Sequence, residues 1–309
     1  MAAVISTGSA PKLLWPGVNQ IFGDMYNTYK GEYSEIFTTS LSDKRFEEDL
    51  QMVNMGLAVP KDEGSAIQYD TFKQGYVKRY VHIVYGKGFV ITREALDDNQ
   101  YSMSLAARGA QMLANSLAQT KEIIGANILN NAFDTNYAGG DGKPLLATDH
   151  PLGAAGGTFS NKLSTAADLS EASLEAMIIQ IMNLVDDAGL RIALRPMKLI
   201  VPTDLNFEAC RLLKSTGRVG TADNDINAIE SMSAIPGGYV VNHYLTDTDA
   251  WFIKVGGLAP NEGMRHFQRA GYDLEMDNDF DTKNLLTTAT ERYSFGWSNS
   301  RAMVGSAGA

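Results

Sequence analysis

Apolar and polar positions alternate with a period of two between residues 65 and 91, and from about residue 103 the period becomes that of a helix. In the first stretch Ile67, Tyr69 and Thr71 alternate, Gly75 marks a turn, and Val77, Val81 and Ile83 alternate against Lys78 and Arg79, which predicts a double strand. The run from Tyr76 to Ile91 would reach roughly 50 Å if extended, more than a strand inside a compact domain needs. A two-stranded ribbon of that length cannot bury enough of its own surface to be stable alone. The surface it requires is most simply another copy of the same chain, so the pattern predicts an assembling protein.

The helical stretch from Met103 to Phe133 keeps Ala106, Ala110, Leu113, Leu117, Ile124 and Ile128 on one face. Its length would be roughly 45 Å. Gly109 and Gly125 interrupt it at about 1 kcal/mol each relative to Ala, which predicts close packing at both points.

Upstream, residues 1 to 55 show little periodicity apart from a short helical piece around Val18 to Tyr29, and Thr92 to Leu96 reads as one helical turn. Downstream, a glycine-rich loop carries a predicted short strand at Pro144 to Ala147. A second unit starts at Leu169, where Ser170 is a natural N-cap, Leu169 and Leu174 can form a hydrophobic staple, and Gly189 closes the helix. Its apolar face is Leu174, Met177, Ile178, Ile181 and Val185. MKLIVP reads as a buried strand, Thr203 as the cap of a helix through Leu213, and TGRVGTADNDINAI as a polar loop. GYVVNHYL, AWFIKV and the region from Met264 onward read as strands. Helices and strands mix without regular βαβ alternation, so the fold class is α+β.

The chain has 309 residues, 44% hydrophobic and 20% charged, enough for one large or two moderate domains. No run of about eighteen apolar residues predicts a membrane span, and the N-terminus lacks the pattern of a signal peptide. Cys210 is the single cysteine and reads as a small buried hydrophobe on a helix. Net charge is −10, which argues against gripping nucleic acid through a broad basic face. The charge is unevenly placed. Lys61, Lys73, Lys78, Arg79, Lys87 and Arg93 crowd the ribbon, and Asp24, Glu32, Glu35, Asp43, Glu47, Glu48 and Asp49 crowd the segment before it. These are either two solvated faces or complementary patches that meet between copies.

No Walker loop, G-x-S-x-G elbow, H-E-x-x-H or C-x-x-C occurs, and GKGFVI lacks the third glycine and the βαβ setting of a dinucleotide site. Asp141, Asp149 and His150 are the one set that could bind metal or do acid–base work, and turn formation with a structural histidine is the preferred reading. His82, His243 and His266 stand apart on predicted strands. Asp273, Glu275, Asp277, Asp279 and Asp281 share one face of a predicted strand, opposite Tyr272, Leu274, Met276 and Phe280. The start of an EF-hand loop is similar, but Thr282 and Thr288 occupy the places of its glycine and bidentate glutamate, so a charged edge strand is preferred, with a loose cation site as the alternative. No catalytic residue, cofactor or metal is expected.

In combination, YGKGFVITREALDDNQY with the long helix after it, DGKPLLATDHPL, KLIVPTDLNFEACRLLKS with GTADNDINAI, HYLTDTDAWFIK and the ending ERYSFGWSNSRAMVGS resemble tailed-phage major capsid proteins of the HK-ninety-seven fold, in particular the Mu-type major head subunit family. The resemblance covers nearly the whole chain. It implies an N-terminal arm at 1–55 and an extended loop at 56–85 lying over a neighbour. It further implies a peripheral domain at 86–164 and 246–309 with a spine helix at 103–133, and an axial domain at 165–245. Lys73, Tyr76, Lys78, Arg79 and Tyr80 become the expected subunit-interface residues.

The implied partners are copies of the chain itself, in hexamers and pentamers, with a portal protein, a scaffolding protein or protease, and a decoration protein. The shell would enclose double-stranded DNA without sequence-specific contacts, which suits an acidic wall. The implied localisation is the virion capsid, after assembly in the host bacterial cytoplasm. Some members carry a cleaved N-terminal scaffolding segment, which this chain is expected to lack, and some crosslink through a loop lysine, for which Lys61, Lys73 and Lys78 are available. The alternatives are an encapsulin-type nanocompartment shell, a metal-dependent hydrolase using Asp141, Asp149 and His150, and a tail or baseplate module.

Overall fold

The computed structural model describes residues 20–27, 31–71, 73–98, 105–153, 156–217, 226–259 and 261–309. Residues 20–27 form helix α1, followed by the single turn α2 (Tyr33–Ile36). Two four-stranded sheets organise the rest. The first has the order β1-β10-β11-β4, from β1 (Thr38–Leu41), β4 (Ile83–Ile91), β10 (Met264–Asn278) and β11 (Leu285–Trp297). The second has the order β12-β9-β7-β8, from β7 (Arg195–Val201), β8 (Tyr239–Val241), β9 (Trp251–Gly256) and β12 (Met303–Ser306). The second sheet thus crosses the boundary expected at residue 245, because β9 pairs with β7 on one side and with β12 on the other.

The two-residue strands β5 (His150–Pro151) and β6 (Thr158–Phe159) pair with each other, and after the short helix α3 (Arg93–Asp97) the long helix α4 (Leu105–Asn130) lies over the first sheet. Its buried stripe includes Ala106, Ala110, Leu113 and Leu117 as expected, with Phe22 of α1 and Leu274, Leu285 and Ala289 of the sheet. Beyond Leu117 the stripe turns: Lys121, Glu122, Gly125 and Leu129 are buried, and Ile124 and Ile128 are only half-buried. Close packing at both glycines is present. A Cβ on Gly109 would stand 2.5 Å from Phe89, and one on Gly125 3.3 Å from Tyr33.

The second sheet carries α5 (Glu171–Met182), α6 (Asn206–Lys214) and the short α7 (Ala228–Ser231). Ser170 caps α5 in a reciprocal box with Ser173. Gly189, at φ 82°, belongs to the turn after the helix and not to its C-cap. Thr203 offers α6 no side-chain cap. Much of GTADNDINAI lies outside the described residues. Pro144 to Ala147 is not a strand: Leu145 and Leu146 are fully buried plugs, held by the Leu146 N–H to the Ala132 carbonyl at 2.8 Å. Among the described residues no helix is long and apolar enough to cross a membrane.

The ribbon differs most from expectation. β3 (Lys73–Val81) pairs antiparallel with β2 (Phe46–Val53), and residues 65–71 form no strand. Gly75 lies inside β3 beside a ladder irregularity, where a Cβ would come 3.0 Å from the Gln51 carbonyl oxygen. The two faces of the ribbon differ in burial. Tyr76, Lys78, Tyr80 and His82 point inward, and Val77, Val81 and Ile83 point out. Tyrosine and histidine bury more surface than valine and keep polar tips that find partners, so this register prevails.

A candidate assembly surface on the β2–β3 hairpin

The hairpin has a root fixed to its own subunit and a tip that touches little. At the root Tyr80 is 3% exposed, with its ring 5.0 Å from Phe267 and its hydroxyl 2.8 Å from Ser298 Oγ. Gly296 makes this possible, since a Cβ there would meet the Tyr80 ring at 2.6 Å. Lys78 donates to the Ala138 carbonyl at 3.0 Å and sits 4.8 Å over the Trp297 ring, and burial lowers its pKa. On β2, Asp49 accepts from Ser298 Oγ, Gln51 donates to Asp187 Oδ2 at 2.7 Å, and just beyond the strand Asn54 donates to Asp186 Oδ2 at 3.3 Å. Asp187 is held in turn by the buried Arg301 at 2.9 Å. The acidic and basic segments therefore meet within one chain. Glu48 and Asp49 are register partners of Arg79 and Lys78, and Arg79 bridges Glu48 at 2.6 Å.

Of the five expected interface residues, Lys73 and Arg79 are exposed and Tyr76 is half-buried. Lys78 and Tyr80 make their contacts inside the subunit. The three most exposed apolar side chains of the hairpin lie beyond β2: Leu57 is 78% exposed, Ile67 63% and Tyr69 92%, with Met55 and Val59 also exposed. Leu57 and Val59 were visible in the sequence only as GLAVP, a run too short for periodicity to read. A second exposed apolar feature is a groove of about 760 Å³ on the β7 sheet, lined by Ile178, Ile179, Met182, Leu194, Pro196 and Met232.

Asp141, Asp149 and His150 do not form one site. His150 is 0% exposed, with Nδ1 2.6 Å from Asp141 and Nε2 3.1 Å from Asn161 Oδ1. Asn161 donates to the carbonyls of Leu145, Ser300 and Met303, so the network ties the 141–150 loop to the C-terminal segment. Asp149 pairs outward with Lys143. A fully enclosed imidazole offers nothing to a substrate. The row of five carboxylates is also shorter than expected. Asp273, Glu275 and Asp277 are exposed on β10, whereas Asp279 and Asp281 lie in the turn, where Asp279 accepts from Thr282 Oγ1 at 2.6 Å and from the Asp281 N–H at 3.1 Å. These hydrogen bonds lower the Asp279 pKa.

The chain thus sets a long helix on a sheet with two extended strands, beside a second helix-covered sheet and a hairpin with an exposed tip. Residues 76–306 match the model of the phage capsid protein family, and the chain belongs to that family. The fold is that of phage capsids of the HK-ninety-seven type. The capsid of the cyanophage P-SCSP1u superposes with a TM-score of 0.57 at 9% identity, covering 89% of this chain and 87% of that one. A native GTA particle capsid gives 0.53 at 12% identity over 98% and 90%, and Mycobacterium phage Che8 gives 0.52 at 14% over 89% and 90%. No curated protein matches the sequence. The chain is a structural capsid protein that assembles with itself into an oligomeric shell.

Proposed function

We propose that this chain is the major head subunit of a tailed double-stranded DNA bacteriophage or prophage, forming hexamers and pentamers by laying its β2–β3 hairpin across a neighbouring copy. The observation that carries this reading is the contrast along the hairpin: a root locked by Tyr80, Lys78, Asp49 and Gln51, and a tip whose apolar residues are exposed. A rigid base with an uncovered apolar end is what a part shared between subunits requires. Lys73 stands where the ladder meets the tip and supplies charge at its edge, and Arg79, exposed beside Tyr80, carries charge at the root. The regions 1–55, 56–85, 86–164 with 246–309, and 165–245 then act as arm, extended loop, peripheral and axial parts, with β9 and β12 added to the axial sheet.

The shell would enclose DNA without reading it, since a chain of net charge −10 does not hold phosphates. It has no catalytic task on this reading. Portal, scaffolding or protease, and decoration proteins complete the particle, which assembles in the host cytoplasm. The test is electron microscopy of the purified protein, expressed alone and with a scaffolding partner. Closed shells built of rings of five and six copies are the expected result. A protein that stays monomeric or dimeric under both conditions overturns the reading.

A further inference from the structure

β4 is the outermost strand of the first sheet, nine residues long, and among the described residues no backbone hydrogen bond reaches its outer edge. It has none of the usual protection of an edge strand: no proline, no bulge in its ladder with β11, and one charge, Lys87. Its two faces differ. Tyr85, Phe89 and Ile91 are half-buried on the α4 side, where Lys87 also lies, donating to Ser116 of α4 at 3.0 Å. The other face presents Val84, Gly86, Gly88 and Val90, all exposed. A Cβ on Gly88 would stand 2.8 Å from Thr288 Cγ2 and one on Gly86 3.0 Å from Thr290 Cγ2, so the β11 threonines on the same face lie against both glycines. The face is therefore low and flat at its centre and apolar at its ends.

Residues 66–71, AIQYDT, are the matching piece. They have the alternation of a strand, every one is exposed, and among the described residues no backbone–backbone hydrogen bond reaches them. We propose that residues 66–71 of one copy add as a strand to the outer edge of β4 in another copy. This rests on the shell reading above and names the surface on which the tip lands.

One placement satisfies both faces. With a side-chain period of two, Ile67 and Tyr69 share one face and Gln68 and Asp70 the other. Laid over Val84, Gly86, Gly88 and Val90, the Tyr69 ring lies flat across the glycines, as an aromatic neighbour does for glycine at a sheet edge. Asp70, the only charge of the segment, then falls on the α4 side with Lys87, the only charge of the edge. Pairing two β4 edges with each other is disfavoured, because antiparallel pairing about the centre of the strand sets Lys87 against Lys87.

A proline scan against alanine controls tests this. An added strand turns only alternate N–H groups toward its partner, so proline should harm assembly more than alanine does at Gln68 or at Tyr69, but not at both. At the sensitive position the concentration needed for assembly should rise about tenfold relative to the alanine control. The subunit's circular dichroism should not change. In parallel, hydrogen exchange of peptides covering 83–91 should be slower in particles than in dissociated subunits. If Gln68→Pro and Tyr69→Pro both assemble like their alanine controls and β4 exchanges equally in both states, the proposal is overturned while the shell reading stands. If the wild-type chain forms no particles, the shell reading itself has failed.

Discussion

Lys121 Nζ lies 3.0 Å from Glu291 Oε1 in the middle of the packed layer between α4 and the first sheet, with both side chains almost completely enclosed. Tyr26 of α1 completes the cluster. Its hydroxyl donates to Glu291 at 2.6 Å and accepts from Lys121 at 2.5 Å, so three separate segments are joined through buried charge. Burial, with the Glu291 carboxylate second, pushes the Tyr26 pKa up. A buried ion pair is costly to desolvate, and an apolar pair of similar volume is often as stable or more so.

Breaking the pair from one side should therefore be severe and replacing it whole should not. Lys121→Met and Glu291→Leu are each expected to cost about 3–5 kcal/mol, because each leaves an uncompensated buried charge. The double variant should recover most of that loss. Urea unfolding of the dissociated subunits measures all three, and a double variant as weak as the sum of the singles would show that Tyr26 and the surrounding groups depend on the charges themselves.

Two neighbours of this cluster give opposing pH dependences. Burial, opposed by hydrogen bonds from the Tyr33 and Glu32 backbone and by Lys121, pushes the Glu122 carboxyl up to about 7. Burial, with Lys121 second, pushes His266 down to about 3. The raised carboxyl stabilises the fold fully below its unfolded pKa, and that stability is lost as pH rises from about 4.5 to about 7, by at most about 3 kcal/mol. The depressed histidine does the reverse, costing stability as pH falls from 6.5 toward 3, because the unfolded chain takes up the proton first. Between pH 4.5 and 6.5 the two partly cancel. Glu122→Gln should steepen the loss of stability on acidification, and His266→Phe should flatten or invert it. Melting temperatures of subunits across pH 4 to 8 check both, and two variants with the wild-type slope would refute the assignment.

Within α4 two effects compete at Gly109. Alanine is the better helix former by about 1 kcal/mol. Its Cβ, however, would stand 2.5 Å from the Phe89 ring of β4. Overpacking of this kind typically costs about 1–3 kcal/mol, so Gly109→Ala should be net destabilising. Adding Phe89→Leu should restore some of the loss by making room. Leu117→Ala, on the same helix and 3% exposed, should cost about 2–5 kcal/mol. Thermal unfolding ranks the variants, and a Gly109→Ala protein more stable than wild type would mean the ring moves aside freely.

Which parts of this fold were legible follows from what periodicity can and cannot carry. α4 and α5 were readable because Leu113, Leu117, Leu174, Met177 and Ile181 repeat at helical spacing, and because Ser170 is a strong cap. The inward turn of α4 at Lys121 and Glu122 was not, since a charged pair reads as a solvated face when its partner, Glu291, is 170 residues away. Period two shows that β3 is a strand without saying which face is inside, and it is Tyr76 and Tyr80, not the valines, that turn inward. Its partner was hidden too, because FEEDLQMV looks solvated until Glu48 and Asp49 are set against Arg79 and Lys78 across the intervening loop. Of the interface residues expected from the family resemblance, Lys73 and Arg79 are on the surface. Tyr80 carries the same kind of side chain as Tyr69, and only three-dimensional context separates the buried ring from the exposed one.

The buried and the exposed tyrosine mark where folding ends and assembly begins. Val53 and Lys73 are register partners at the end of the β2–β3 ladder, so the chain between them can be shortened without moving either strand. Replacing Met55 to Thr71 with a short Gly-Ser turn should leave a folded, soluble subunit, because shorter loop closure costs less entropy and most of the removed side chains are exposed. The same deletion should abolish shells, as it removes Leu57, Ile67 and Tyr69 together. Extending the deletion through Tyr80 should instead unfold the subunit, since it strips β3 and the Tyr80–Ser298 contact from the body. Tyr80→Ala alone is expected to cost about 3–5 kcal/mol, comparable to other large aromatic truncations in a core. Tyr69→Ala should change subunit stability by no more than about 0.5 kcal/mol while weakening assembly. Circular dichroism, denaturant unfolding and electron microscopy on the four proteins separate folding from assembly. Intact shells from the Met55 to Thr71 deletion would show that the tip is dispensable and that subunits hold together through other faces.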